Sequence, residues 1–266
     1  MPLTPFQYKL AQLLASNRTE ASHLAGGAAL HFQPNSIRYS EDLDYFHDSE
    51  AQVFESFSKD RRLLEDKGYT CELELSQPGY IRCIIKKGQG ATKVEWARDS
   101  SWRFMPVQAH KELGYVLHPI DLAINKVLAL AGRDEPRDYL DVLHVHETTL
   151  PLGALCWAAC GKDPGYNPKS LMELLKRRGK YRPEDFKRLH LTVEYRQILD
   201  VQELKAKWLQ ALSDAEDFIQ TAPFAEVGCL YYSLIEKKFI QPKIPINPKE
   251  TLLHYGRLGG VLPQIL

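Results

Sequence analysis

The chain has 266 residues, 44% of them hydrophobic and 26% charged, which is enough to bury a substantial core as one large domain or two smaller ones. Its 34 Lys+Arg balance 34 Asp+Glu, so no global field draws it onto nucleic acid or an anionic membrane, and any such contact must come from a local patch. No apolar run approaches the roughly 18 to 20 residues of a bilayer span and the start lacks the apolar stretch of a secretion signal, so the expectation is a cytoplasmic protein with no membrane partner.

In chain order, residues 4–16 predict a helix, with Phe6, Leu10, Leu13 and Leu14 spaced for one face. "SHLAGGAALHFQ" reads as a short strand, a tight turn at two glycines and a helix, and "EDLDYF" as the next strand. An amphipathic helix, "AQVFESFSKDRRLLEDKGY", ends near Gly68. Three strand candidates follow, "TCELELS", "YIRCIIKK" and "ATKVEWA", separated by glycine-containing turns. From residue 118 the pattern turns helical, with Pro119 and Pro136 suited to first helical turns and Gly132 marking a break.

Later helices include "DVQELKAKWLQALSDAEDFIQ", and "VGCLYYSLI" reads as a late strand. The expectation is an α+β fold with an α/β-type core: a mixed sheet flanked by helices over residues 1–145, then a mainly helical region over 146–266 packed on the first. The five cysteines, Cys71, Cys83, Cys156, Cys160 and Cys229, form no CxxC pair and fit reduced thiols, with Cys156 and Cys160 as packing residues.

The chemistry centres on "RYSEDLDYF". Residues two apart on a strand share a face, so Asp42 and Asp44 lie side by side with Leu43 and Tyr45 opposite. Two such carboxylates repel unless a cation sits between them, and Mg2+ or Mn2+ with phosphate oxygens resolves the conflict. An isolated pair of this kind is more often a solvated strand end, and a glycine pair alone is a tight turn. Here Gly26 and Gly27 stand at a strand-to-helix junction, where bare N–H groups can hold phosphate. "ATKVEWA" adds a strand face with Lys93 and Glu95, either an exposed pair or a third acidic group. Together these features describe a two-metal phosphoryl-transfer site with Asp42, Asp44 and Glu95 as metal ligands.

"LAGGAALHFQPNSIRYSEDLDYF" and "PIDLAINKVLALAGRDEPRDYLDV" together resemble the two ordered signatures of the AbiEii/AbiGii nucleotidyltransferase-like toxin family, a branch of the DNA polymerase β-like nucleotidyltransferases. The resemblance covers roughly residues 20–145. It implies a nucleotidyltransferase-like fold, an NTP donor and a divalent metal. It places Gly26, Gly27, Arg38 and Ser40 at the nucleotide, Lys126 on its phosphate, and Asp138 or Asp141 in the same catalytic cleft. Glu95 stands where the wider superfamily usually has Asp, and its longer arm leaves one or two metals open.

The residues themselves are compatible with that implication: Lys126, Leu130 and Arg133 form one helical stripe, and Arg137 and Asp141 are four apart on the next helix. The plain alternative is a surface pair and a solvated lysine. His144 and His146 point to different sides of a helix and do not form a metal pair.

For the acceptor, "KRRGKYRPEDFKRLH" concentrates charge at Lys176, Arg177, Arg178, Lys180 and Arg182 around Tyr181, so the run either grips RNA or is a solvated helix end. The reading from sequence is a metal-dependent nucleotidyltransferase acting on tRNA or another RNA as a toxin with an antitoxin partner. The alternatives are nucleotidylation of a protein or small molecule, or a binding module without turnover.

Overall fold

The computed structural model describes residues 3–32 and 36–264. Helix α1 (Pro5–Leu14) starts where the residue types dictate: Thr4 and Gln7 form a reciprocal capping box and Pro5 takes the first helical position. Gln7 is buried and its amide donates onward to the Ser40 carbonyl at 3.1 Å and the Thr92 hydroxyl at 3.2 Å, tying α1 to two later elements.

Strand β1 (Ser22–Ala25) runs into the short helix α2 (Gly26–Leu30), followed by β2 (Asp42–His47) and α3 (Glu50–Asp66). Strands β3 (Thr70–Gln77), β4 (Tyr80–Lys87) and β5 (Gly90–Arg98) form consecutive hairpins; β6 (Trp102–Arg103), β7 (Gln108–His110) and β8 (Gly114–Val116) are short. These elements build a seven-stranded mixed sheet in the order β3-β4-β5-β2-β1-β8-β7, in which β2 pairs with β5 and β1 with β8 in parallel and the other pairs are antiparallel.

Alternation decides the two faces. Ile81, Cys83 and Ile85 of β4 and Val94 and Trp96 of β5 are buried beneath α3, where Phe57 meets Trp96 edge to face at 5.2 Å. Arg82, Lys93 and Glu95 occupy the other face, beside Asp42 and Asp44 of β2.

Helices α4 (Pro119–Gly132) and α5 (Pro136–Thr148) begin at their prolines. After α6 (Leu152–Lys162), α7 (Pro168–Leu175), α8 (Pro183–Lys187) and α9 (Val193–Ile198) comes α10 (Val201–Thr221). One hydrophobic core runs from Leu3 to Leu230, across the shift in pattern near residue 145. Cys156 and Cys160 pack inside α6, and all five cysteines are unbridged.

The fold class read from the sequence holds, with one addition at the C-terminal end. Strand β9 (Leu230–Ser233) is joined by β10 (Lys238–Ile240) and β11 (Thr251–His254) in a three-stranded sheet, and β12 (Arg257–Leu258) pairs back onto β6. These strands are two to four residues long, too short for an alternating pattern to emerge from the surrounding prolines and lysines.

The sheet carries one buried charge network on its α3 side. Arg18 donates to both Asp60 oxygens at 2.6 and 2.5 Å and lies 4.3 Å over the Tyr45 ring, while Trp96 donates its indole N–H to Asp60 at 2.7 Å. Asp60 is wholly buried, so Asp60→Ala leaves a buried guanidinium and an indole N–H without their acceptor. The expected loss is about 3–5 kcal/mol of unfolding free energy, measured by urea denaturation. A loss below about 1 kcal/mol would show that Arg18 finds water or another partner.

Candidate active site

The first turn of α2 brings backbone and carboxylate together. Gly26 has φ +59, and a Cβ there would lie 1.9 Å from Oδ2 of Asp44, so both conformation and space require glycine. A Cβ on Gly27 would come within 3.0 Å of the Ser40 hydroxyl and 3.1 Å of Arg38. Ser40 donates its hydroxyl to the Asp42 carbonyl at 2.8 Å and shapes the entry to β2.

In the parallel pairing of β2 with β5, Asp42 stands opposite Lys93 and Asp44 opposite Glu95. Antiparallel β4 sets Arg82 opposite Glu95. The resulting cleft encloses about 110 Å3 and presents three carboxylates, Asp42, Asp44 and Glu95, to six cations, Arg38, Arg82, Lys93, Lys126, Arg133 and Arg137. That volume holds a few waters at roughly 30 Å3 each.

Two further acids stand behind the cations. Asp141 is wholly buried and accepts from Arg38 at 2.8 and 2.6 Å, lies 2.8 Å from Lys126 Nζ, and faces His31 Nε2 at 2.8 Å. Three such neighbours hold its carboxyl well below the usual carboxylate range despite burial. Asp138, also wholly buried, takes two hydrogen bonds from Arg133 at 2.6 and 3.2 Å, with Lys126 at 3.4 Å. The two carboxylates expected to work in the catalytic cleft have no exposed surface. Both are spent on holding Lys126, Arg38 and Arg133 in place.

Lys126 is 6% exposed but lines the cleft, as does Arg38, and Arg133 is half-exposed at the end of α4. Arg137 binds Glu41 at 3.0 Å and reaches to 3.9 Å from Asp42. The structure therefore brings together all the residues proposed for nucleotide and metal from the sequence, Gly26, Gly27, Arg38, Ser40, Asp42, Asp44, Glu95, Lys126, Arg133 and Arg137. What sequence reasoning left without a role are Lys93 and Arg82. Alternation shows both to be polar-face residues, but only the strand register reveals that they meet the carboxylates.

A divalent ion would fit at Asp42 and Asp44. Burial, aided by the charges of Asp42 and Glu95, pushes the Asp44 carboxyl up to about 7, and a nearby cation would lower it. Among the described residues no three His, Cys, Asp or Glu side chains converge as a metal-binding group. Cations already pair with two of the three acids: Lys93 Nζ lies 2.9 Å from Asp42 and 3.4 Å from Glu95, and Arg82 Nε is 3.0 Å from Glu95.

The basic run after α7 divides. Tyr181, expected to stack on a base, is buried against Tyr139 and Phe186, and its hydroxyl bonds Asp134. Arg178 donates to the Leu130 and Ala131 carbonyls at 3.0 and 2.7 Å, satisfying the C-terminal end of α4. Lys176 pairs with Glu173 and Glu216, while Arg177, Lys180 and Arg182 are exposed. The grouping around Tyr181 is thus a helix-capping and core arrangement and not a base-stacking platform. His144 faces the His31 ring at 6.1 Å and His146 accepts from the Leu152 N–H at 2.9 Å, so the two point apart.

No protein-family profile matches the chain, and no curated protein matches it in sequence. Solved structures of similar fold include a presumed nucleotidyltransferase from H. pylori, with TM-score 0.52 and 16% identity, covering 80% of this chain and 93% of that one. Another is MenT4, a nucleotidyltransferase toxin from Mycobacterium tuberculosis H37Rv, with TM-score 0.51 and 16% identity, covering 79% of this chain and 82% of that one. At such identity the likeness establishes the fold: it is nucleotidyltransferase-like, a class wider than the AbiEii/AbiGii family that the two signatures resemble. No helix among the described residues is long and apolar enough to cross a membrane.

His31 gives the site a pH signature. Burial, reinforced by Arg38 and Lys126, lowers its pKa to about 4 against the opposing pull of Asp141. The folded chain keeps it neutral, whereas the unfolded chain protonates it near 6.5. Its contribution is therefore present above pH 6.5 and lost as pH falls toward 4, at about 1.4 kcal/mol per pH unit. Urea unfolding at pH 7, 6 and 5 should show a slope that His31→Gln reduces by about that amount. An unchanged slope would mean that His31 is protonated in the fold.

Proposed function

We propose that the protein is a metal-dependent nucleotidyltransferase that moves a nucleoside monophosphate from an NTP to an RNA acceptor, with a tRNA 3′ end as the leading candidate. The observation carrying this reading is the placement of Asp42 and Asp44, side by side over the glycine turn, within a ring of cations. In this reading the triphosphate enters with its reacting end in the cleft and its base outside. Lys126, Arg133 and Arg137 meet phosphate oxygens, Lys126 and Arg133 being held toward it by Asp138 and Asp141. Asp42 and Asp44 would hold the divalent ion, whose chemistry would be to offset charge on the transferring phosphate and to lower the pKa of the attacking hydroxyl. The Gly26–Gly27 turn lets backbone approach the phosphates where any side chain would strike Asp44 or Arg38.

The acceptor side draws support from the downstream half of the basic run. Lys187, Arg188 and His190 are exposed and line a 310 Å3 hollow with Tyr39 and Arg196. This shelf is fastened beside the cleft: the Tyr39 N–H donates to the His190 carbonyl at 2.7 Å and the Thr192 N–H to Ile37 at 3.1 Å. Its charge and partly exposed tyrosine suit a phosphodiester strand leading toward Asp42. The toxin role, with an antitoxin partner, rests on the AbiEii/AbiGii-like signatures and is in keeping with the fold likeness to MenT4.

A second reading is favoured by the ion pairs on Asp42 and Glu95, which neutralise much of the acidic face without a metal: a module that binds nucleotide or RNA without turnover. Incubation with each α-labelled NTP, Mg2+, total RNA and protein extract separates the readings. A labelled RNA band, reduced at least ~100-fold by Asp44→Ala, is expected. Label on polypeptide would move the acceptor to protein, and NTP binding without any labelled product would leave the binding module.

The shelf has its own test. Lys187→Glu with Arg188→Glu should raise the KM for RNA about tenfold while NTP binding is unchanged, and should lower the slope of log affinity against log salt by about 1.4 for two lost single-strand phosphate contacts. An unaltered salt slope would place RNA elsewhere.

A further inference from the structure

Asp42, Asp44 and Glu95 share one strand face, yet their neighbours differ. Glu95 is engaged by both Arg82 at 3.0 Å and Lys93 at 3.4 Å, and Arg82 is itself steadied by the Tyr80 hydroxyl at 2.9 Å. Asp42 is engaged by Lys93 at 2.9 Å and approached by Arg137 at 3.9 Å. Asp44 makes no ion pair among the described residues. An ion coordinated by all three acids would have to expel Lys93 from between two of them and strip Glu95 from Arg82.

We propose that Lys93 is a built-in counter-cation of this cleft: it takes the place of a metal ion between Asp42 and Glu95, Glu95 stands outside the metal's coordination, and the divalent ion binds tightly only with a triphosphate. The proposal rests on the nucleotidyl-transfer reading for its triphosphate. The physical reason for the order is charge. With Lys93 on Asp42, a free dication meets one unpaired carboxylate and a neighbouring ammonium that repels it. A triphosphate offers Lys93 phosphate oxygens in exchange, so Asp42 is released to the metal at the moment the metal's other oxygen ligands arrive. Lys93 is a positioning residue in the empty cleft and a phosphate-binding one in the loaded cleft. Its 27% side-chain exposure and flexible stem permit that transfer.

The experiment is Mn2+ binding to the full chain followed by electron paramagnetic resonance of the free ion, with and without a non-hydrolysable NTP analogue. Wild-type protein should bind Mn2+ at least about tenfold more tightly with the analogue. Without it, Lys93→Gln should bind Mn2+ about tenfold more tightly than wild type, and Lys93→Arg, which keeps the charge, should not. Lys93→Met serves as a second uncharged variant should Lys93→Gln fail to fold. Glu95→Gln should shift Mn2+ affinity by less than about threefold.

No tightening in either uncharged variant, or a loss beyond about tenfold in Glu95→Gln, would overturn the proposal. Asp44→Asn separates this outcome from the function itself. If Asp44→Asn binds Mn2+ as wild type does, the metal–nucleotide reading fails, and the Lys93 comparison still decides whether that lysine is the counter-cation.

Discussion

Asp141 sits inside the protein on α5 with cations or hydrogen-bond donors from three other parts of the chain: Lys126 of α4, Arg38 from the approach to β2, and His31 at the end of α2. Each of those segments also supplies a wall of the cleft. A fully buried charge is tolerated only with such saturation, and deleting one partner of a buried set typically costs about 3–5 kcal/mol. The consequence is geometric as much as energetic. Helices that diverge in sequence by about a hundred residues are locked in one arrangement, and two basic side chains are presented to the cleft with few rotamers left to lose.

The sheet supplies the other constraint. Parallel pairing of β2 with β5 fixes which residues face each other, and a slip by one residue would turn Asp42 and Asp44 toward the Trp96 side, where Asp60 already balances Arg18. The buried alternation of Leu43, Tyr45, Val94 and Trp96 resists that slip, because it would expose them all. Acidic residues on the polar face are thus held in place by apolar residues on the other, and the cleft's chemistry depends on the core's packing through a register of single residues.

Much of this was legible in the sequence where one local rule decided it. The Gly-Gly junction, the strand with paired acids, the amphipathic α3, the three hairpin strands and the proline-led α4 and α5 each carry their signal within a dozen residues. So did the convergence of Asp42, Asp44, Glu95 and Lys126, once two signatures were read together. Tyr181 is ambiguous in sequence, because a tyrosine inside a basic run looks the same whether it faces solvent or Tyr139; only tertiary contact decides. The family resemblance implies that Asp138 or Asp141 belongs to the cleft, but their complete burial comes from helices packing across a long separation. Lys93 and Arg82 were visible as polar-face residues, whereas their partners are set by strand pairing, which alternation does not specify.

The balance of charges explains why these two kinds of acid coexist. Asp138 and Asp141 are saturated by the cations they hold in position. Asp44 is the opposite case, set against a glycine that leaves no room for a side chain and raised to about 7 by burial beside two other acids. Folding tolerates that unfavourable placement because the strong pairs on either side fix β2, α2 and α4 regardless of what Asp44 does. The mutual repulsion of Asp42, Asp44 and Glu95, in a frame held by the buried pairs, favours an added positive charge. Lys93 relieves part of it from within the chain, and the remainder is what an incoming ligand can satisfy.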